Sequence, residues 1–246
     1  MVTLFQLDVS NFCSPIKIAL LYKGVPFKTL PPPGGYGSKE YKEVVPMGTI
    51  PAVLLEDVSP AKVVSESAVI LEFLEDRYKE PSLFFNLPYE DSAVRFVHRF
   101  HDLYLEPPLR KLFTHMDPRL REARAVSLAL DAFLSRLHFL EAYVGSFHEA
   151  CMREGRVKDP HGRPFLLGTS MTLADCILPH TLLLADIMHC ELKGQAVDYG
   201  DMHHLAAWRR EISEHACVAP VLDAARAATH LWIERKRKGA TSACKL

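Results

Sequence analysis

The sequence lacks the long apolar runs and the strong charge excess that mark membrane proteins and nucleic-acid-binding proteins. Its 246 residues contain no uncharged apolar run of the roughly 18 residues that a membrane-spanning helix needs. The most apolar stretch, residues 176–190, is interrupted by His180, Asp186 and His189. The net charge of −1 creates no field that would attract nucleic acid or an anionic membrane. We therefore expect a soluble protein without nucleic-acid or membrane partners.

Paired cysteines and metal-binding motifs are also missing. The six cysteines are scattered, with no C-x-x-C pair, which argues against a disulfide framework and indicates reduced thiols in the cytoplasm. The twelve histidines form no H-E-x-x-H motif, and the adjacent pair His203 and His204 lacks the spaced partners of a zinc site. We predict no metal cofactor.

What is present begins with a strand, a polar turn and a helix. Residues 2–7 are apolar, residues 10–14 read S-N-F-C-S, and apolar positions then recur up to Gly24. This pattern places Ser10 at a helix N-terminus, where unpaired backbone N–H groups stabilise an anion. A thiolate would benefit most, because a free thiol is only a few per cent ionised at neutral pH. Lowering its pKa by about two units, which corresponds to roughly 2.7 kcal/mol, would make the thiolate the major form.

Four segments, in order, resemble one known family. The S-N-F-C turn at residues 10–13 stands where thioredoxin-like folds carry C-x-x-C. Residues 45–53, V-P-M-G-T-I-P-A-V, are similar to N-P-x-G-x-V/I-P-x-L, and residues 64–74, V-S-E-S-A-V-I-L-E-F-L, are similar to E-S-x-A-I-x-x-Y/F-L. Residues 172–175, T-L-A-D, resemble the capping box of a central helix. Together these segments resemble the cytosolic glutathione transferases.

The resemblance implies an α+β fold in two domains. We expect a thioredoxin-like βαβαββα domain over residues 1–79 that binds glutathione, and a linker over residues 80–90 that contains prolines. An all-helical domain over residues 91–246 would then bind the electrophile and end in a basic tail. The family usually forms homodimers, so we also expect a homodimer.

Three residues of the turn are candidates for contact with the glutathione sulfur. In the serine-type classes, such as tau, zeta, phi and theta, a serine after the first strand donates to the sulfur, and the match of K-I-A-L at residues 17–20 places that serine at Ser10. Asn11 is an alternative donor, as asparagine is in related branches. Cys13 could form a mixed disulfide with glutathione, or it could be an inert packing thiol.

Other residues are assigned to glutathione by the same resemblance. A cis Ile50–Pro51 bond would leave the Ile50 backbone free to pair with the peptide, although a strand-opening proline is the simpler interpretation. Glu66 and Ser67 would hold the γ-glutamyl end. Taken alone they indicate the first turn of a helix behind an N-cap at Ser65, but the match at Ile50 and Pro51 favours the binding role. The predicted glutathione-binding residues are Ile50, Pro51, Glu66, Ser67 and Lys39.

The electrophile pocket is expected where the helical domain faces the turn. Three prolines and three glycines within residues 31–38 predict a loop at the rim of the site. In the helical domain, Pro107 and Pro108 predict a break in the helix that begins at Asp91. Phe12, His101 and Tyr104 are the predicted pocket residues, although histidines more often have structural or solvent-facing roles.

The capping box predicts how the helical domain is built. Thr172 at the N-cap and Asp175 at the third helical position satisfy each other's backbone N–H groups. The helix that follows, residues 173–192, is apolar nearly all round and should be the buried centre of the domain.

These observations predict a glutathione transferase that stabilises the glutathione thiolate for attack on a small apolar electrophile, as in detoxification. The alternatives are a thiol transferase or dehalogenase that uses Cys13, and a non-catalytic binding protein of the same fold. The basic tail ends in Cys244, Lys245 and Leu246, which resemble the peroxisomal address S-K-L, so the peroxisome is the alternative to a cytoplasmic location.

Overall fold

The structure is a computed structural model, and it describes residues 1–154 and 164–239. The C-terminal tripeptide, and with it the predicted peroxisomal address, lies outside the described residues. Residues 153–164 are charged and contain proline and glycine, which indicates a loop, and most of this segment also lies outside the described residues.

The first domain is built on a four-stranded mixed sheet with the order β2-β1-β3-β4. Its strands are β1 (Val2–Phe5), β2 (Phe27–Leu30), β3 (Ala52–Leu55) and β4 (Lys62–Ser65). The helices of this domain are α1 (Ser14–Tyr22), α2 (Lys39–Val44) and α3 (Ser67–Arg77). The β1–β2 pair is parallel, which requires the crossover that α1 supplies, whereas β3 pairs with β1 and β4 in antiparallel register. The predicted βαβαββα order is confirmed.

The start of α3 differs from its prediction. Ser65 pairs with Ala52 as the last residue of β4, so it does not cap the helix. The N-cap is Glu66, whose backbone has a left-handed φ of 72°. A non-glycine residue rarely adopts this conformation, because its Cβ approaches the neighbouring backbone. The sharp turn from strand to helix therefore falls on a residue that was predicted to bind a ligand.

A buried lysine attaches the interdomain linker to the first domain. The side chain of Lys23, at the end of α1, is fully buried, and its Nζ donates to the Tyr78 carbonyl at 2.7 Å and the Pro81 carbonyl at 2.8 Å. Glu75 on α3 supplies the countercharge at 2.8 Å. A buried ammonium group needs such a complete set of partners. The linker is therefore held against α1.

The second domain is helical. Its helices are α4 (Pro88–Phe100), α5 (Glu106–Lys111), α6 (Ala123–Arg153), α7 (Leu173–Lys193), α8 (His203–Glu214) and α9 (Ala219–Arg237). The first of these begins at Pro88, before the predicted start at Asp91. A π-helical turn, His101–Leu105, joins α4 to α5. It ends just before Pro107 and Pro108, which cannot donate to the carbonyls four residues earlier.

The predicted capping box and central helix are confirmed in α7. Asp175 Oδ2 accepts from the Thr172 backbone N–H at 2.8 Å, and Asp175 Oδ1 accepts from Leu166 N–H at 2.8 Å and from Trp208 Nε1 at 2.7 Å. By length and composition alone α7 could cross a membrane, but 89% of its most apolar window is buried inside the protein. Burial on all sides explains its uniformly apolar sequence.

We expect Asp175→Ala to lower the free energy of unfolding by about 3 kcal/mol or more, because it leaves several buried donors without an acceptor. Urea denaturation measures this loss. The matched control is Asp223→Ala, at an exposed carboxylate on α9, which should change the stability by no more than about 0.5 kcal/mol. Equal losses in the two variants would contradict the central role of Asp175.

Candidate active site

The turn after β1 presents Ser10 one turn ahead of α1. The backbone N–H groups of Cys13 and Ser14 both donate to the Ser10 carbonyl, at 3.0 and 3.3 Å. The helix itself begins at Ser14 with Cys13 as N-cap. The prediction that Ser10 lies at the helix N-terminus is therefore wrong by one turn, because residues 11–13 form a turn of their own before the helix.

Ser10 lies in a cleft of about 420 Å³ between the two domains. The first domain lines it with the turn after β1, the loop before β3 and the start of α3, and the helical domain lines it with α4, the π turn and the segment after it. The residues lining the cleft are Val9, Ser10, Asn11, Phe12, Tyr36, Thr49, Ile50, Pro51, Glu66, Ser67, Ala68, Arg99, Asp102, Arg110 and Phe113. The structure thus brings most of the predicted ligand-binding residues together.

The wall opposite Ser10 has the predicted backbone geometry. The Ile50–Pro51 peptide bond is cis, as predicted. Tyr41 is fully buried beneath it and donates its hydroxyl to the Thr49 carbonyl at 2.8 Å. Ser67 and Ala68 open α3, so unpaired N–H groups of its first turn face the cleft beside Glu66. This wall offers an extended backbone edge and a helix N-terminus.

The predicted rim loop lies at the cleft, whereas one predicted glutathione-binding residue, Lys39, lies beyond it. Tyr36, in the loop over residues 31–38, lines the cleft, and the structure therefore places this loop at the rim. Lys39 opens α2 with an exposed side chain and is not among the residues lining the cleft.

Cys13 points away from the cleft. Its side chain is fully buried in the core and does not line the cavity. Burial raises the pKa of its thiol to about 11, although the Ser10 hydroxyl and the Leu7 backbone oppose this shift. A neutral, inaccessible thiol is a poor nucleophile, because thiol exchange requires the thiolate.

Asn11 lines the cleft, but its side-chain amide hydrogen-bonds to a residue of the helical domain. Its Nδ2 donates to Thr181 Oγ1 on α7 at 3.0 Å. The same hydroxyl lies 2.7 Å from His101 Nε2. One of the two amide hydrogens of Asn11 is therefore directed into the domain interface.

The π turn determines which helical-domain residues reach the cleft. His101 is fully buried, and its ring packs edge-on against Phe12 with centroids 5.7 Å apart. Tyr104 is half exposed and stacks on Phe100, away from the cleft. Of the three predicted pocket residues, only Phe12 lines the cavity.

Asp102 and Arg110 line the helical-domain wall, and the sequence analysis assigned neither of them. The guanidinium of Arg110 lies 5.4 Å from the centroid of Phe12 and 5.1 Å from that of Phe113. It also pairs with the buried carboxylate of Glu106 at 2.5 Å. The only sequence signal for this wall is the adjacent pair of prolines that predicts the helix break.

Asp102 is held as an anion. Burial would raise its pKa, but the hydrogen bond from His101 and the proximity of His101, His98 and Arg99 outweigh that effect and lower it. His101 Nδ1 lies 2.8 Å from Asp102 Oδ1, and Arg99 lies 3.8 Å from Oδ2. The cleft therefore carries charges of both signs on its helical-domain side.

Within residues 1–154 and 164–239, no three His, Cys, Asp or Glu side chains are grouped as a metal site would require. The described histidines near the cleft have other partners. His101 contacts Thr181 and Asp102, and His180 contacts Ser14 at 2.7 Å.

Comparison with known proteins shows similarity to one family. Residues 4–82 match the family described as glutathione S-transferase, N-terminal domain. A glutathione S-transferase of Pseudomonas putida is 27% identical over 247 residues, which covers 97% of this chain and 99% of that protein. The chain is therefore similar to a glutathione S-transferase over nearly its whole length, and residues 4–82 resemble the N-terminal domain of that family. The confirmed cis Ile50–Pro51 bond lies inside the matched residues.

Two further comparisons show the same similarity. The Arabidopsis thaliana glutathione S-transferase Z2 is 35% identical over 86 residues, which cover 33% of the chain and 35% of the plant protein. A tau class glutathione S-transferase from mango, Mangifera indica, has a TM-score of 0.73 at 18% identity and covers 94% of this chain and 96% of the mango chain. That structural likeness establishes the transferase fold, in which a helical domain follows the thioredoxin-like domain.

We expect a neutral thiol reagent to label Cys190, which is exposed on α7, well before Cys13 in the native protein near neutral pH. Burial and a pKa raised to about 11 both protect Cys13. Peptide mass spectrometry after brief iodoacetamide treatment measures the order, and the urea-unfolded protein serves as control because both thiols should then react. Rapid native labelling of Cys13 would show that its thiol is accessible and reactive.

Proposed function

We propose that the protein is a glutathione transferase in which Ser10 donates a hydrogen bond to the glutathione sulfur. The observation that carries this proposal is the position of Ser10, which faces the cleft across from the cis Ile50–Pro51 bond and the start of α3. Asn11 directs one amide hydrogen to Thr181, and Cys13 is buried outside the cavity. We therefore assign the sulfur contact to Ser10, whose hydroxyl also contacts the buried Cys13 thiol.

The first-domain wall is suited to an extended, charged tripeptide. The Ile50 backbone would pair with the cysteinyl unit, as one strand edge pairs with another. The first-turn N–H groups at Ser67 and Ala68, together with the Ser67 hydroxyl, would bind the γ-glutamyl carboxylate, and Glu66 would attract the γ-glutamyl ammonium group. Lys39, which is exposed near the rim loop, would reach the glycyl carboxylate only through its long side chain.

A docked sulfur would be stabilised as a thiolate by the hydrogen bond that the Ser10 hydroxyl donates to it. Lowering a thiol pKa from about 8.5 to about 6.5 makes the thiolate the major form near neutral pH, at a differential stabilisation of roughly 2.7 kcal/mol. The electrophile would lie against Phe12, Phe113 and the stacked Arg110, within reach of the sulfur. Conjugation to a small apolar electrophile, as in detoxification, is the reaction that this arrangement supports.

The alternatives have less support from the geometry. A thiol transferase or dehalogenase that depends on Cys13 requires a reactive thiol in the cleft, and Cys13 is buried outside it. A non-catalytic binding protein would not require a hydroxyl beside the docked sulfur. For location we propose the cytoplasm, where the five described cysteines would remain reduced.

We also propose a homodimer that associates through an aromatic face on α4 and α6. Phe96 stacks on Tyr143 with centroids 4.2 Å apart, and Phe100 stacks on Phe139 at 5.1 Å. Phe139 is 49% exposed, and Tyr89 and Tyr104 on the same side of the domain are also exposed. Such a contiguous apolar face is rarely left in water and suits a second copy of the chain.

For the chemistry, Ser10→Ala should lower kcat/KM by about a hundredfold or more, the usual effect of removing one donor to a developing or bound anion. Because the thiolate is then less stabilised, the acidic limb of the pH–rate profile should shift to higher pH. Ultraviolet thiolate absorbance and steady-state rates with an aryl halide measure both effects, while glutathione should still bind.

The controls for this experiment separate the three hypotheses. Ser135→Ala, at an exposed position on α6, should behave like the parent. If Cys13→Ser abolishes activity and Ser10→Ala does not, thiol chemistry at Cys13 replaces the serine mechanism. If the parent itself binds glutathione but turns over no electrophile, the non-catalytic alternative is supported.

For the dimer, Phe139→Glu should shift the protein toward monomer in analytical ultracentrifugation, because it places a charge in the aromatic face. Leu231→Glu is the matched control, since Leu231 is 55% exposed on α9, outside that face. An unchanged sedimentation coefficient in Phe139→Glu, or an equal shift in both variants, would contradict this interface.

A further inference from the structure

Four side chains form a continuous hydrogen-bonded chain that begins and ends in the cleft. Asn11 Nδ2 donates to Thr181 Oγ1 at 3.0 Å, that hydroxyl lies 2.7 Å from His101 Nε2, and His101 Nδ1 lies 2.8 Å from Asp102 Oδ1. Thr181 and His101, the two middle members, are fully buried. Asn11 and Asp102, the two ends, both line the cavity. The chain therefore links the sulfur side of the cleft to its electrophile side through the domain interface.

The carboxylate of Asp102 sets the direction in which hydrogen bonds are donated along these four side chains. Asp102 as a carboxylate can only accept, so His101 Nδ1 carries the proton that it donates there. In the neutral ring Nε2 is then an acceptor, and it takes the single hydroxyl proton of Thr181. Thr181 can consequently only accept from Asn11, which must turn its amide nitrogen inward. The negative charge of Asp102 thus fixes the orientation of the Asn11 amide on the other side of the domain interface.

The surrounding groups keep Asp102 deprotonated, so that its carboxylate accepts hydrogen bonds. Arg99, on the preceding helix α4, lies 3.8 Å from its Oδ2 and carries a permanent positive charge. His98, also on α4, lies 3.6 Å from the same oxygen, but burial lowers the pKa of this histidine, so it carries little positive charge near neutral pH. From α7, His180 faces α1 next to Thr181, and burial lowers the pKa of this histidine to about 3, so it adds no positive charge. Arg110, on α5, lines the same cleft.

His101 also holds the residue after Asn11. Its ring packs edge-on against Phe12, with centroids 5.7 Å apart and an interplanar angle of 74°. Two consecutive residues of the turn, Asn11 and Phe12, are therefore positioned by one histidine, and Ser10 immediately precedes them. Burying polar groups such as Thr181 and His101 costs free energy that an apolar pair would avoid, and this cost is consistent with a functional role for them.

We propose that Thr181, His101 and Asp102 are positioning residues of the transferase site, which hold Asn11 and the turn so that the Ser10 hydroxyl is aimed at the glutathione sulfur. This inference rests on the proposed function, because it assigns these residues to the same site. It also gives His101 a role different from the pocket residue predicted from the sequence. Its chemistry is a fixed direction of hydrogen bonding, and no proton is transferred along the chain.

The direct test removes one hydroxyl from the middle of the chain. Thr181→Val should lower kcat/KM by about tenfold and shift the acidic limb of the pH–rate profile to higher pH, because the turn loses its orientation. Thr181→Ser, which keeps the hydroxyl, should restore both values. The matched control is Thr229→Val on α9, at a threonine that is equally buried and whose hydroxyl makes no hydrogen bond among the described residues.

The outcomes separate this inference from the proposed function. If the parent shows no glutathione-dependent turnover, the proposed function fails and this inference fails with it. If the parent is active and Thr181→Val retains its rate and pH profile, or declines no more than Thr229→Val, only the positioning role is overturned. Failure of Thr181→Ser to recover would also overturn it, since the hydroxyl would then not be the determining group.

A second measurement examines the chain without depending on turnover. Nitrogen-15 NMR distinguishes the two neutral tautomers of His101, whose signals are assigned by their loss in His101→Gln. The parent should show the Nδ1–H tautomer, and Asp102→Asn, whose amide can donate to Nδ1, should convert it to Nε2–H. An Nε2–H tautomer in the parent would overturn the direction that the proposal requires.

Discussion

The contact between helices α1 and α7 is the interaction on which the rest of the structure depends. Helix α1 buries one face against its own sheet and another against α7, where Ser14 Oγ lies 2.7 Å from His180 Nδ1. Helix α7 is itself buried on nearly all sides and is held at its start by the carboxylate of Asp175. The turn that carries Ser10 therefore precedes a helix that is packed between the sheet of the first domain and α7.

The two domains contribute different parts of the cleft. The first domain offers a hydroxyl, a strand edge beside a cis proline and a helix N-terminus, all of which suit the peptide part of glutathione. The helical domain offers Phe113, Arg110 and Asp102, whose positions follow from the π turn at the end of α4. A different backbone conformation of that turn would alter the helical-domain wall of the cleft. The first-domain wall would stay unchanged.

Much of the first domain could be predicted from the sequence because its constraints are local. Turn chemistry, the V-P-M-G-T-I-P segment and the threonine–aspartate capping box each specify backbone geometry within a few residues, and the cis Ile50–Pro51 bond and the α7 cap are confirmed. The limits of this approach appear at Ser65, which strand pairing with Ala52 removes from the helix cap.

The helical-domain wall could not be predicted in the same way. Pro107 and Pro108 indicate a break, but whether the preceding residues form a π turn depends on tertiary packing, and that turn decides that His101 is buried while Asp102 faces the cleft. The partner of Asn11 is 170 residues away in the chain, which no local pattern reveals. Tyr104 illustrates the consequence, since regular helical spacing placed it toward the pocket and the structure turns it outward.

The most direct measurement of the central claim is a crystal structure of the protein with glutathione bound. The account predicts the tripeptide along the Ile50 backbone, with its γ-glutamyl end at Glu66 and Ser67 and its sulfur within hydrogen-bonding distance of Ser10 Oγ. A sulfur beside Asn11 or Cys13 and remote from that hydroxyl, or glutathione bound outside the cleft, would contradict it.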